Sequence, residues 1–411
     1  MSDQRLTNAL PEHLYVHVPI CHSKCAYCDF YSLPAREVTL DAGAIVSALV
    51  SQAEAWIARG LPVRPLRSLY IGGGTPSMLG DSLPWLVRRC VELFGLHQGA
   101  EVTIEANPDS LVPGLAVALV QSGVTRISLG VQSLDDAELA MLGRAHSAAS
   151  ARAAAADVVA AGADLSIDLM CGLPGQSMAT WRRTLKGAAL LGPVHVSVYP
   201  LSLEEGTPLA GSVARGELSE PDPDLAAEMM LLAGELLGGV GFVRYEIANY
   251  AQPGHESVHN TAYWTGRGYL GVGPGAHGMF DGSTAAALGL GSGVHRILGE
   301  LTTTPPQDSP TPPGRVRYAV PASLEEGLVA MPALEVELLS DAEAAREDAM
   351  LGLRTARGID VALARRARVL DVLSGLEVEG LVMRTDDGWC TTSRGWLLGN
   401  EVFGRIWLGD S

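Results

Sequence analysis

The sequence predicts an α/β fold built on a barrel-like parallel sheet, closed or partly closed, and three observations carry that reading. Short β-rich runs alternate with helical stretches through the first half of the chain. There are six such runs: "LYVHVPI" (14–20), "SLYIGGGT" (68–75), "EVTIEANP" (101–108), "RISLGVQS" (126–133), "DLSIDLM" (164–170) and "HVSVYPLS" (195–202). Polar residues end nearly every one. Strand–helix alternation implies parallel strands joined by right-handed crossovers. In barrels of this kind the chemistry gathers at the C-terminal face of the sheet.

Each element has its own signal. Between the strands lie segments of helical composition, such as "TLDAGAIVSALVSQAEAWIARG" and "SAASARAAAADVVAAGA". Residues 1–280 read as the barrel. Residues 281–320, with "DGSTAAALGLGSGVH" and "TTTPPQDSPTPPG", are rich in Gly, Ala, Ser, Thr and Pro and read as a flexible insertion or linker. Residues 321–411 turn helical again ("SDAEAAREDAMLGLRTARG") and finish with "GLVMRTDDGWCTT", two β-like runs around an Asp-Gly turn. That outline predicts a small C-terminal helical, winged-helix-like domain.

Composition bounds the function. At 411 residues the chain has room for one large domain and a smaller one. Six cysteines in this length do not make a disulfide scaffold, and Cys90, Cys171 and Cys390 read as small buried hydrophobes. The opening "MSDQRLTNALPEH" lacks the apolar core of a signal peptide. No apolar run approaches the ~20 residues of a membrane helix. A soluble, cytoplasmic protein is expected. The formal charge of −17 opposes a nucleic-acid binder, whose affinity comes from clustered Lys and Arg.

The most informative stretch is "CHSKCAYCDF" (21–30), on the loop after the first strand. A structural zinc needs four ligands, and a fourth would have to come from His17, His22 or a distant cysteine. A 4Fe–4S cluster is normally held by four thiolates. Held by Cys21, Cys25 and Cys28 alone, it keeps one iron open to another ligand. CxxxCxxC with an aromatic, Tyr27, before the third cysteine is similar to the radical S-adenosylmethionine (SAM) signature. That resemblance implies a partial (β/α)6 TIM-like barrel. It also implies SAM chelated to the fourth iron and cleaved by one electron to a 5′-deoxyadenosyl radical, with the protein positioning the cofactor.

Later strand ends fit the same picture. "GGGTP" (72–76) ends the second strand, where glycines without Cβ let backbone N–H groups approach a ligand. Glu105 ends strand three and Gln132 strand four, Arg144 follows twelve residues later, and Asp168 lies on strand five. Carboxylates suit ribose hydroxyls and an ammonium, an amide suits polar edges, and an arginine suits a carboxylate.

Taken together, "YVHVPICHSKCAYCDF", "GGGTP", "IEANP", "SLGVQS" and "IDLMCGLPGQ" resemble the oxygen-independent coproporphyrinogen III oxidase family and its close relatives. The resemblance spans roughly residues 14–277, and "MLGLRTARGI" extends it into the C-terminal domain. It implies SAM contacts at Tyr15, Gly72, Gly73, Gly74, Thr75, Glu105, Gln132, Arg144 and Asp168, with Tyr27 a further candidate. True oxidases carry CxxxCxxCxC and an N-terminal arm. Here Phe30 stands at the last cysteine position and Cys21 lies near the start. "CDF" and "HNTAYW" (259–264) instead look like the haem chaperone (HemW) family, whose motif is HNxxYW.

That branch implies haem as ligand, haem-acceptor proteins as partners, and an electron donor of the flavodoxin or ferredoxin kind. His259 is its candidate haem contact, with Tyr263 and Trp264 able to stack on a porphyrin. The competing reading of the same residues is structural, with His259 hydrogen-bonded locally. His255, His277 and His295 are further candidates, whereas His17 reads as a packed residue of the first strand. Oxidative decarboxylation of coproporphyrinogen III is the alternative activity. The catalytic residues and the haem acceptor are not legible.

Overall fold

In the computed structural model, residues 11–290, 295–297, 300–302 and 314–409 are described, the two short stretches by backbone alone. The first half forms six strands: β1 (His13–Val18), β2 (Leu66–Gly73), β3 (Leu96–Ala106), β4 (Arg126–Gln132), β5 (Asp164–Cys171) and β6 (His195–Pro200). Each pairs in parallel with the next. A hairpin, β7 (Val243–Arg244) with β8 (Asn249–Ala251), adds antiparallel to β6, and β9 (Leu270–Val272) adds parallel to β1. Among the described residues the sheet order is β9-β1-β2-β3-β4-β5-β6-β8-β7. No pairing between described residues joins its two edges, so the barrel is partial, the form the radical SAM resemblance implied.

Strand side chains alternate between two faces. Leu14, Val16, Leu69, Ile71, Val102, Ile104, Ile127, Leu129, Leu165, Ile167, Val196 and Val198 are almost wholly buried in one apolar core with the helices. The helix Ala42–Ala58 shows the matching helical spacing. Ile45, Val46, Leu49, Ala53 and Trp56 face the core, and the Asp41 carboxylate caps the N-terminus by accepting from Ala44 N–H. The opposite strand face is polar. It carries His13, Tyr15 and His17 on β1; Ser68 and Tyr70 on β2; and Glu101, Thr103 and Glu105 on β3. Arg126 and Ser128 follow on β4, Asp164, Ser166 and Asp168 on β5, and His195 and Ser197 on β6. Barrel interiors of this architecture are usually filled by branched aliphatics. This one is lined by hydrogen-bonding groups.

Residues 281–320, expected as a linker, contribute regular structure where they are described. The helix Gly282–Ala287 leads to buried Leu288 and Leu290, and the strand Arg315–Ala319 buries Val316 and Tyr318. That strand lies between His277–Asp281 and Glu335–Leu339 in a second, five-stranded sheet, and the Trp56 ring packs on Phe280 and Tyr318. Small residues around these few apolar positions masked the pattern. The Pro-rich tract 303–313 lies outside the described residues.

Beyond Ser340, whose capping box with Glu343 starts the helix Asp341–Gly352, come further short helices and the expected hairpin, Val382–Arg384 with Gly388–Thr391. This C-terminal unit has its own apolar cluster. It docks on the β7–β8 hairpin. Trp396 Nε1 donates to Ile247 O (2.7 Å), Ala356 N to Tyr245 O (2.9 Å), and the Arg244 guanidinium lies 3.9 Å over the Trp396 ring. Among the described residues, no helix is long and apolar enough to cross a membrane.

Candidate cluster and cofactor site

The cysteine loop is pinned at several points. Ile20–Cys21 pairs with Leu33–Pro34, Ala26 N–H donates to Leu142 O, and Leu209 N–H donates to Ala26 O. Cys21, Cys25 and Cys28 are unbridged and partly exposed at the C-terminal end of the barrel, while Phe30 beside them is 64% exposed. A polar bridge links two of the sulfurs. Thr75 Oγ1 donates to Cys21 Sγ (3.4 Å), and Asn107 Nδ2 donates to Thr75 Oγ1 (3.0 Å). Arg144 Nη2 donates to Asn107 Oδ1 (2.5 Å) and to Gly130 O (2.8 Å), and Arg144 Nη1 donates to Cys25 Sγ (3.3 Å). Among the described residues, no three His, Cys, Asp or Glu side chains converge as ligands of one metal ion. A four-iron cluster uses one thiolate per iron, so its ligands stand farther apart.

Several other groups gather within the same end of the barrel. Glu105 accepts from Tyr70 Oη (2.7 Å) and from Gly73 N–H (3.1 Å). Asp168 accepts from Ser128 Oγ at 3.5 Å. Burial pushes Glu105 up to about 7, with the Asp168 charge adding to it and the Tyr70 and Gly73 hydrogen bonds opposing. Burial likewise pushes Asp168 up to about 6, against hydrogen bonds from Ser197 and Ser128. Burial opposes the charge of Arg144, but Tyr27 and Cys25 beside it leave its pKa raised. Its Nε is buried with no protein partner, a free donor at the edge of the cysteine loop. Gln132 adopts a left-handed backbone (φ 62°) beyond a register shift in β4, a conformation non-glycine residues seldom hold.

The raised carboxyl groups set the sign of a pH effect. Their folded pKa values exceed the unfolded ones, so the stability they contribute is present below about pH 4 and is lost as pH rises through 6–7. The ligand-free Glu105→Gln protein therefore gains on wild type as pH rises from 5 to 8. The gain is on the order of 2 kcal/mol in urea denaturation. Equal stabilities across that range would contradict the assignment.

The glycines play a different part from the one expected. Gly73 N–H is taken by Glu105, Gly74 N–H by Val18 O (2.8 Å), and Thr75 N–H by Ile20 O (2.7 Å). A Cβ at Gly74 would lie 2.5 Å from Ile20 O, and one at Gly73 (φ 109°) would lie 2.7 Å from the His17 ring. Close passage of this turn against β1 and Ile20 just beyond it demands glycine here, and these N–H groups are already engaged. Tyr15 stacks on Tyr70 and its hydroxyl meets His17 Nδ1 (3.0 Å). The other ring nitrogen of His17 donates to Tyr31 O, so His17 is packed as expected. Tyr27 packs with Leu142, Met170 and Leu173 under the loop.

The "HNTAYW" segment takes the structural arrangement that was the competing reading of its sequence. It forms the helix Val258–Trp264 and sits at the opposite end of the barrel, against the beginnings of the strands. Glu101, near the start of the β2–β3 pairing, accepts from Ser257 Oγ and from the N–H groups of Val258 and His259. His259 is 1% exposed, and its Nδ1 meets Ser68 Oγ (2.7 Å) while Nε2 meets Tyr263 Oη (2.8 Å). With both nitrogens engaged and no exposure, His259 is not placed as a haem contact in this structure. His255 is held by Asp164 (2.8 Å) at the same end. His277 is exposed on its strand, and the side chain of His295 lies outside the described residues. Residues missed at the sequence level are Asn107, Tyr70, Ser128 and Ser197. Each sits in a strand or strand end already marked, at an inward position of the two-residue alternation.

A partial parallel barrel carrying a three-cysteine loop after its first strand, with polar groups converging at the strand ends, defines a radical SAM protein. The Radical SAM superfamily model matches residues 15–188, and the HemN C-terminal domain model matches residues 339–398. Within that superfamily, the chain belongs to the HemW family. It is 41% identical over 271 residues to the heme chaperone HemW of Mycobacterium tuberculosis, covering 65% of this chain and 69% of that one. It is 30% identical to the heme chaperone HemW of Bacillus subtilis over 96% of this chain and 99% of that one. A 41% identical relative is the bovine (Bos taurus) mitochondrial radical S-adenosyl methionine domain-containing protein 1, with 71% of this chain aligned. There the match covers 64% of the relative's length, just under two thirds. The fold is similar to that of coproporphyrinogen III oxidase (HemN) from Escherichia coli, with TM-score 0.73 and 21% identity. That match covers 97% of this chain and 90% of the other.

Proposed function

We propose that this chain is a cytoplasmic haem chaperone that holds a 4Fe–4S cluster on Cys21, Cys25 and Cys28, binds SAM beside it, and hands haem to acceptor proteins. The observation that carries the cofactor reading is the polar bridge from Cys21 through Thr75, Asn107 and Arg144 to Cys25, with Arg144 Nε left free beside it. Cluster and SAM together supply the one-electron chemistry of the superfamily. The chain's own groups do the holding. Arg144 Nε suits the SAM carboxylate. Glu105 and Asp168 suit its ammonium and ribose hydroxyls, and ionised they favour a cation. Tyr15, Gln132, Tyr27 and the turn from Gly72 through Gly73 and Gly74 to Thr75 frame the same space. Thr75 and Arg144 donate to sulfur, which stabilises thiolate.

The name heme chaperone, borne by relatives aligned along this chain, supports haem as the cargo. His277, open to solvent, takes the place of His259 as the histidine offered to it. A flavodoxin- or ferredoxin-like donor would supply the electron. The test is anaerobic. Protein with a reconstituted cluster is titrated with haem, then assayed with coproporphyrinogen III, SAM and a reductant. Near-stoichiometric haem binding without protoporphyrinogen IX is the expected result. Turnover to protoporphyrinogen IX would overturn it in favour of the oxidase, despite Phe30.

A further inference from the structure

The HNxxYW helix lies at the wrong end of the barrel to meet a ligand above the cysteines, yet its contacts run toward that end. Its start is fixed by Glu101, which is ion-paired with buried Arg126 (3.3 Å), and Arg126 in turn donates to His255 O (2.7 Å). His195 meets Tyr245 Oη (2.9 Å), which accepts from Ser257 N–H. The helix thus closes the floor of the barrel. From the floor, the His259 ring stacks on Tyr70 with centroids 5.1 Å apart and planes 27° apart. Tyr15 packs on the other two rings of this group. The Tyr70 hydroxyl then points at Glu105 Oε1.

We propose that the HNxxYW helix is a floor that fixes the Tyr70 hydroxyl on Glu105, making His259 and Tyr70 positioning residues for the cation that Glu105 receives. The stack locks the Tyr70 ring, and a hydroxyl held in place by packing keeps one oxygen of Glu105 occupied and the other turned toward Gly73 N–H. A hydrogen bond donated to a carboxylate favours its ionised form. The groups around Glu105 are Tyr70, Tyr15, Asp168 and Tyr263. Asp168 is the acidic neighbour, so Tyr70 and Gly73 are what keep Glu105 able to ionise near neutrality. The motif thereby acts on the cofactor site without touching it.

The inference rests on SAM as the cation, and the experiment separates the two. SAM affinity of the reconstituted full chain is measured by equilibrium dialysis from pH 5.5 to 8.5, and haem binding is measured on the same preparations. In wild type, affinity rises with pH as Glu105 and Asp168 ionise. Tyr70→Phe, which keeps the ring and its packing, moves that rise upward by about one pH unit and weakens SAM at pH 7 by about fivefold. Haem binding stays unchanged. His259→Gln shifts the profile in the same direction. An unmoved profile in Tyr70→Phe would overturn the proposal, as would loss of haem in His259→Gln with the SAM profile intact. Should wild type bind no SAM, the SAM reading falls. The carboxyl infrared band of Glu105, assigned by Glu105→Gln, then still decides the role of Tyr70. Titration at higher pH in Tyr70→Phe upholds it, and an identical titration overturns it.

Discussion

Changing Cys21, Cys25 or Cys28 singly to alanine strips the reconstituted protein of its iron. An outer-sphere partner of a metal ligand is worth about 10–100-fold in affinity, and a direct ligand exceeds that. Iron per chain and the visible absorption of the cluster fall together. Cys90 and Cys171 are buried among the helices and strand backs, at 1% and 0% exposure, so their serine variants keep the iron. Asn107→Ala is the intermediate case. It breaks the bridge between Thr75 and Arg144, leaves all three thiols, and changes the electron paramagnetic spectrum of the reduced cluster while retaining most of the iron. Full iron content in the triple alanine variant would sink the cluster assignment.

Glu101→Ala has the largest expected effect on folding. Glu101 and Arg126 are each 6% exposed in their side chains and stand 3.3 Å apart. Glu101 also accepts three hydrogen bonds from the start of the floor helix. Removing Glu101 leaves buried Arg126 with the partly exposed Asp164, 3.9 Å away, as its counter-charge. Losing one partner of a buried pair costs about 3–5 kcal/mol, and Asp164 places this loss toward the lower end. The midpoint of chemical denaturation falls accordingly. Arg215→Ala, which breaks the fully exposed pair with Glu217, leaves it where it was. A Glu101→Ala protein as stable as wild type would show that the floor helix is held by its apolar contacts alone.

The six barrel strands were legible because each alternates apolar and polar residues between helical stretches. "DLSIDLM" begins where β5 begins, at Asp164, and "RISLGVQS" opens on the first residue of β4. The cysteine loop was legible as a local spacing. What stayed hidden depended on distant pairing. Leu270–Val272 is too short to read as a strand, and it becomes one by lying beside β1. His259 looked like a ligand because, although Tyr263 lies in the same motif, nothing local shows that distant Ser68 takes its other nitrogen. Asn107 sat inside a quoted motif, but its partners come from residues 75 and 144. The Gly/Pro-rich region misled because Val316 and Tyr318 are too few, among small residues, to show a period of two.

The neighbour of β1 on its outer side is synthesised about 250 residues after it. At roughly 5–20 residues per second on the ribosome, that delay lasts about 13–50 s. Throughout it the nascent sheet presents an unpaired edge made of "HLYVHV", a template for the wrong strand. The growing chain is therefore most vulnerable to aggregation after β2 has paired and before Leu270–Val272 emerges. Nascent chains stopped just short of Leu270 would be the ones that bind holdase chaperones most avidly.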